Sequence, residues 1–312
     1  MEDELFNARY PLFQQEAKRR PRPKRIRFSD ATILLVALWA ILHDRPICWA
    51  CQIRHWPETL FASLGLDALP SLATMSRRLR TLPVRLLLEQ VFYRLLNATA
   101  AVQAFCLCRR IDSKPLPVGG FSKDVDARWG YATGGKYKGY KLFCCWASSP
   151  TLPEAMVLGA MNTSDQAGGI ALLKQVDRLH EGFACGYVAA DATHDTNPLH
   201  AYAGAHGLQL VAPRKLPGRT LGHRQHCDPR LRSIELLEPP PLPPAAPAPR
   251  LGLELYRLRG QIERDYGHMG SFGGGLQPLP NFVRRPRRVA LWVIVKLLIN
   301  AVRICRNHGL TA

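Results

Sequence analysis

The chain has 312 residues, 47% of them hydrophobic, enough for one large domain or two ordinary ones and too apolar for wholesale disorder. Lys and Arg number 42 against 24 Asp and Glu, a formal charge of +18. That excess suits a polyanion, because each phosphate neutralised releases condensed counterions. Charge alone does not choose between DNA, ribosomal RNA and a membrane surface.

Met1 to Phe6 carry three acids and no apolar core, so no secretory signal is expected. Lys18 to Arg27 (KRRPRPKRIR) form a basic arm that its prolines keep from being helical throughout. Ser29 then reads as an N-cap, with Asp30 in the first turn of an apolar helix ending before Pro46. The apolar stretch Ala31–Leu42 is too short to span a membrane, and Val289–Val302 is interrupted by Lys296 and Asn300. Both read as buried helices. Cys48 and Cys51 make one C-x2-C pair without a second, so they read as small buried residues in preference to a zinc site. The nine cysteines, odd in number and scattered, suggest a reduced cytoplasmic setting.

Helical pattern continues to about Ala100. Within it, Ser71 caps a segment with Leu72, Met75 and Leu79 on one side and Arg77, Arg78 and Arg80 available for DNA, as in a recognition helix. A basic surface helix without a partner would have the same composition. From Phe105 the texture changes to short strand-length runs: Phe105–Ile111, Tyr140–Ala147, Ala155–Leu158, Gly186–Ala190 and Leu208–Ala212. Helical pattern returns at Gln166–Leu179, Pro198–Gly207, Leu253–Met269 and Arg287–Arg306, so this part reads as mixed α/β. Leu221–Arg232, with His223, His226, Cys227 and several arginines, reads as a loop facing nucleic acid, and Pro239–Pro249 as a polyproline linker.

Three acids fall at informative places. Asp112 closes the first strand-like run, Asp191 closes Tyr187–Ala190, and Glu263 lies in the pattern Leu253–Met269. Carboxylates at strand ends beside an acidic helix can converge on a pair of hard cations. Tyr256, Arg259 and Glu263 follow at spacings of three and four, which puts them on one helical face. Spacing by itself fits either a site presenting carboxylate, guanidinium and ring, or an ordinary solvated Arg–Glu pair. Asp124, Asp126 and Asp195 are rival ligands that read as solvated or salt-bridged.

The run Tyr256-Arg257-Leu258-Arg259-Gly260-Gln261-Ile262-Glu263 matches the first three elements of a Tyr-x2-Arg-x3-Glu-x6-Lys signature. With Ile111-Asp112-Ser113-Lys114-Pro115, Lys136-Tyr137-Lys138-Gly139-Tyr140-Lys141-Leu142 and Ala190-Asp191-Ala192-Thr193-His194, in that order, the chain resembles insertion-sequence DDE transposases. The resemblance covers roughly Ile111 to Arg306. It implies an α/β, RNase H-like catalytic domain at 101–312, carrying a basic, Pro-rich insertion at about 213–250. Before it would come an all-helical DNA-binding region at 29–100 and the basic arm at 1–28.

It further implies a Mg2+-dependent enzyme, with Mn2+ substituting, that binds element ends and catalyses DNA cleavage and strand transfer. Asp112, Asp191 and Glu263 would hold the metal, with Arg259 and Tyr256 acting beside them. Lys136, Lys138, Arg284, Arg285, Arg287 and Arg288 would join Arg77, Arg78 and Arg80 on DNA. The partners implied are double-stranded DNA, as terminal inverted repeats and target, and a second copy of the chain; no membrane is implied. Three positions depart from the pattern. Gly270 stands where the signature lysine falls, leaving Lys296 or an arginine of Arg284–Arg288 to substitute. His194 replaces a usual tyrosine. The interval between Asp191 and Glu263 holds no tryptophan, which leaves a DNA-hairpin intermediate open. A catalytically inactive DNA-binding descendant is the alternative that Gly270 keeps in view.

Overall fold

The computed structural model describes residues 13–19, 26–63, 65–100, 108–119, 121–132, 134–146, 153–179, 186–216, 219–223, 225–238, 251–271, 275–276 and 279–307. The proline tract, most of the basic arm and the start of the expected Phe105–Ile111 strand lie outside the described residues. The chain divides into two compact units, Met1–Ala101 with Met269–Ala312, and Val102–His268.

The first unit is helical. It contains α1 (13–18), α2 (Asp30–Leu42), α3 (Ile47–Ala50), α4 (Glu58–Ser63), α5 (Leu72–Arg78), α6 (Leu82–Ala100) and, from the far end of the chain, α12 (Pro286–Asn307). Ser29 caps α2, its Oγ accepting from the Thr32 N–H at 3.0 Å. Every residue of α2 from Ala31 to Leu42 is buried, as expected of a helix that is apolar all round. It packs on α6 and α12. The C-terminal helix, expected within the catalytic domain at 101–312, finds its apolar partners in the helical unit. No described helix is long and apolar enough to cross a membrane.

The second unit is built on a sheet of six strands: β1 (Cys108–Pro117), β2 (Arg128–Ala132), β3 (Gly135–Trp146), β4 (Pro153–Ala160), β5 (Gly186–Ala189) and β6 (Leu208–Val211). Their order is β2-β3-β1-β5-β6, with β4 also on β3. Gly139 pairs with Pro117 on one side and Arg128 on the other, so β2 and β4 lie end to end along the edge of β3 opposite β1. The strands β1, β3 and β4 form an antiparallel meander; β5 and β6 then add parallel to β1. An antiparallel meander extended by parallel strands on the far side of β1 is the RNase H-like arrangement.

Helices α7 (Asp165–Leu179) and α8 (Asn197–Ala205) cover one face, enclosing Ile111, Phe143, Val188, Ala190, Leu173, Leu199 and Leu210. The other face receives α10 (Leu251–Arg259), whose Leu255 packs on Cys108, Ala189 and Val211. Alternation along each strand separates these two cores. Asp112, paired with Cys144, and Asp191, two residues beyond Ala189, belong to the α10 face.

Four expectations are revised. β1 does not stop at Asp112: its ladder with β3 runs on to Pro117, while its parallel pairing with β5 ends at Arg110. Asp112 therefore sits mid-strand, at the place where β5 has ended, and Pro115 is tolerated because no strand needs its N–H there. β2 was not expected, whereas the start of β3 was expected only from the resemblance of Lys136–Leu142 to a family strand, its own composition being rich in Gly and Lys. The single helix Leu253–Met269 is two, α10 and α11 (Gln261–Ser271), broken at Gly260, whose N–H bonds back three residues to Arg257. Within the expected loop Leu221–Arg232, Asp228 begins a helix, α9 (Asp228–Leu237), with Pro229 in its first turn.

Candidate active site

Each aspartate uses one oxygen to fix itself and turns the other to a shared guanidinium. Asp112 Oδ1 accepts the Ser113 N–H at 2.7 Å, and its Oδ2 accepts from Arg259 Nη2 at 3.1 Å. Asp191 Oδ1 accepts the Thr193 N–H at 3.0 Å and the Thr193 hydroxyl at 2.6 Å, and lies 2.6 Å from His194 Nδ1. With Asp191 ionised, His194 Nδ1 must carry the hydrogen of that bond. Asp191 Oδ2 is left 4.0 Å from Arg259 Nη2, and Glu263 Oε1 lies 3.8 Å from Arg259 Nη1. The three carboxylates therefore meet around Arg259.

The two aspartates differ electrostatically. Burial pushes the Asp112 carboxyl above the ordinary carboxylate range, against the pull of the Arg259 charge and the Ser113 N–H. Burial also acts on Asp191, but hydrogen bonds from His194 and Thr193 and the nearby charges outweigh it and hold that carboxyl well below its ordinary value. Glu263 projects into solvent, its side chain 77% exposed. Among the described residues no three His, Cys, Asp or Glu side chains are gathered closely enough to hold a metal ion. A cationic guanidinium in their midst nevertheless marks the spot as one that binds positive charge, and three carboxylate oxygens are the donor type hard divalent cations take.

The helix pair is fastened to β1 by groups that the sequence pattern did not single out. Arg110 is fully buried; its Nη1 donates to Gln261 Oε1 at 2.6 Å, and its Nη2 lies 3.5 Å from Asp265 Oδ2. The Tyr266 hydroxyl donates to the Asp112 carbonyl at 3.1 Å, and its ring meets Trp146 edge to face. One signal was available: Arg110 is a charge inside an apolar strand run, at a position that alternation turns inward. Tyr256 is half-buried and packs on the Leu255 cluster.

Asp195, Asp124 and Asp126 are elsewhere engaged. Asp195 is buried against a bidentate Arg230, both contacts 2.7 Å, and against His200 at 3.2 Å. Arg230, expected in a loop facing nucleic acid, thus anchors α9 inside the fold. Asp124 is buried and accepts from the Tyr140 hydroxyl at 2.9 Å, so the solvated role expected for it is not found. Asp126 is half-buried, its N–H donating to Asp124.

The expected DNA-facing cations divide. Arg77, Arg80, Lys136, Arg284, Arg285, Arg287 and Arg288 are exposed, and Lys138 is half-buried. Arg78 instead turns inward, bonding the Phe28 carbonyl and Asp30, because the start of α2 offers both an acid and a carbonyl. Leu72, expected on the apolar side of α5 with Met75, is exposed. Lys296 is buried and donates to Asp44 at 2.5 Å. Cys48 is exposed and Cys51 half-buried, its thiol pushed up to about 11 by burial, so the pair is less enclosed than expected.

An RNase H-like sheet with two aspartates on adjoining strands and a glutamate on the helix beside them defines a DDE-type nucleic-acid enzyme fold. The chain belongs to the transposase DDE domain family, whose model matches residues 108–299, more than half of its length. A solved structure described as piggyBac transposase synaptic complex with hairpin DNA shares the fold, with a TM-score of 0.50 and 13% identity. That likeness spans 98% of this chain and 73% of the other. No curated protein sequence matches. Family membership makes the protein a DNA transposase.

Proposed function

We propose that the chain cleaves DNA at the ends of its own mobile element and joins the freed 3′ ends to target DNA, with Mg2+ or Mn2+ held by Asp112, Asp191 and Glu263. The observation supporting this is the convergence of all three carboxylates within 4.0 Å of one guanidinium. Such ions, when bound, would supply Lewis-acid activation of the attacking oxygen and charge stabilisation of the departing one. The protein's part is positioning. Ser113, Thr193 and His194 clamp one oxygen of each aspartate, so the other is presented in a fixed direction without side-chain entropy left to lose.

Arg259 would offer its planar fork to phosphate oxygens once metal held by the carboxylates had released it. Tyr256 lends its exposed edge to the DNA end. Exposed Arg77, Arg80 and Arg284–Arg288 carry sequence-independent affinity that weakens with salt. Two element ends require two sites, so the working unit on DNA is a homodimer.

The test is cleavage of supercoiled DNA carrying the gene's own flanks, with and without Mg2+. Asp112→Ala, Asp191→Ala and Glu263→Ala should each lower cleavage more than about a hundredfold while leaving DNA binding in place. Undiminished cleavage by Asp191→Ala and Glu263→Ala refutes the assignment.

A further inference from the structure

The β2–β3 hairpin carries a surface that the carboxylate site does not use. Trp129 is 53% exposed and Tyr131 is 77% exposed. The register sets Trp129 opposite Lys138 and Tyr131 opposite Lys136, so all four side chains stand on one face of the ribbon. Lys136 Nζ lies 6.0 Å from the centre of the Trp129 ring, and Lys138 Nζ is steadied by the Ser122 carbonyl at 2.9 Å. From Arg128 to Gly139 there are three cationic side chains and no acid. On the other face a Cβ on Gly130 would come 2.4 Å from the Met161 carbonyl oxygen, so the middle of the ribbon lies against the chain behind it.

Two further observations choose the occupant. Ring faces interleaved with cations complement bases joined by phosphates; an apolar protein partner would have to desolvate the lysines for no return. The platform also stands on the face of the sheet that carries Asp112. By two-residue alternation, Asp112, Lys114 and Leu116 on β1 share a face with Cys144, Leu142, Tyr140, Lys138 and Lys136 on β3, and hence with Trp129 and Tyr131. Leu116, Leu142 and Tyr140 between them are buried, so a strand joining the two places passes over the residues that cover them. Cys144 pairs with Asp112, and Lys138 is six residues away along β3, which at roughly 3.3 Å per residue is about 20 Å. A DNA strand advances about 3.4 Å per nucleotide, so the same span is about six nucleotides.

We propose that Trp129 and Tyr131, flanked by Lys136 and Lys138, form a stacking platform for unpaired bases of the DNA strand, about six nucleotides from the phosphate held at the carboxylates. This rests on the transposase reading of that site. It adds that the enzyme prefers DNA opened near the cut over a continuous duplex.

The experiment is fluorescence anisotropy of the full chain in EDTA, so that nothing is cleaved. The probes are a 20-nucleotide oligothymidylate, a blunt duplex of mixed sequence and the same duplex with a six-nucleotide 3′ overhang. Trp129→Ala/Tyr131→Ala should weaken binding to the single strand and the overhang about tenfold or more, since base–aromatic stacking accounts for a factor of that order. The blunt duplex should change less than about twofold, and the salt dependence should be unaltered. Trp129→Phe/Tyr131→Phe, which keeps both rings, should bind nearly as the parent and shows that the fold survives. Lys136→Ala/Lys138→Ala should weaken all three probes and flatten the salt dependence.

Equal binding of every probe by the alanine pair overturns the platform, as does an equal loss on blunt and open DNA. So does loss of binding to vesicles of anionic phospholipid with DNA binding intact, which would make the rings a membrane contact. If the parent chain binds none of the DNA probes, the transposase reading falls together with the platform. If the parent binds all three and the alanine pair matches it, the platform alone falls.

Discussion

Asp195 allows a quantitative test of how the second aspartate's surroundings are held. Its side chain is 1% exposed, with Arg230 on both oxygens and His200 on one. Burial raises its pKa, but the hydrogen bonds from Arg230 and His200 prevail and bring it to about 2 from an ordinary 3.8. At about 1.4 kcal/mol per unit, ionised Asp195 contributes on the order of 2 kcal/mol of stability. The sign follows from the depressed value. The contribution is complete above the unfolded-state pKa and is lost as pH falls through the folded-state one. The window is therefore about pH 4 to pH 2, with roughly half remaining at pH 3. Asp195→Asn should be less stable than the parent by at least about 2 kcal/mol in urea unfolding at pH 7, without metal. That difference should shrink measurably between pH 5 and pH 3. A difference that stays constant over this interval, or a variant as stable as the parent at pH 7, refutes the reasoning.

Two further outcomes follow from the packing around β1. Arg110→Met strands Asp265 in the interior and should cost about 3–5 kcal/mol, whereas Arg110→Met/Asp265→Leu should recover most of that in a double-mutant cycle followed by thermal unfolding. Gly139→Ala should destabilise by about 1–3 kcal/mol, because the added Cβ would fall 2.2 Å from the Leu116 carbonyl oxygen and push β3 off β1; circular dichroism during urea titration measures it.

The comparison of sequence with structure turns on which residues carry their signal locally. Ser29 and Ser71 announce helix starts because the capping bond is made within three residues. Asp191 follows a short apolar run that does end, and the structure closes β5 at Ala189. Asp112 was placed at a strand end because its neighbours Lys114 and Pro115 look like loop residues. Their strand state is imposed by pairing with β3, which no local window contains. β2 was overlooked for a related reason: Gly130 weakens the strand pattern, yet it is glycine because the Met161 backbone lies where a Cβ would be. Likewise the Arg259–Glu263 spacing was read as one helical face, and the contact survives at 3.8 Å although Gly260 breaks the helix between them. Arg110 with Asp265, and Arg230 with Asp195, are long-range pairs whose partners the sequence does not name.

Arg259 has a consequence for how the protein is made. Carboxylates brought together by folding ordinarily repel one another until a cation arrives, and the cost falls on the fold itself. Here the counter-ion is part of the chain and comes with it off the ribosome, within 4.0 Å of all three. The fold thereby forms around a counter-ion of its own. On the metal-holding role proposed above, a cation would enter by exchanging with a tethered guanidinium, charge for charge, and would leave that side chain beside the incoming DNA.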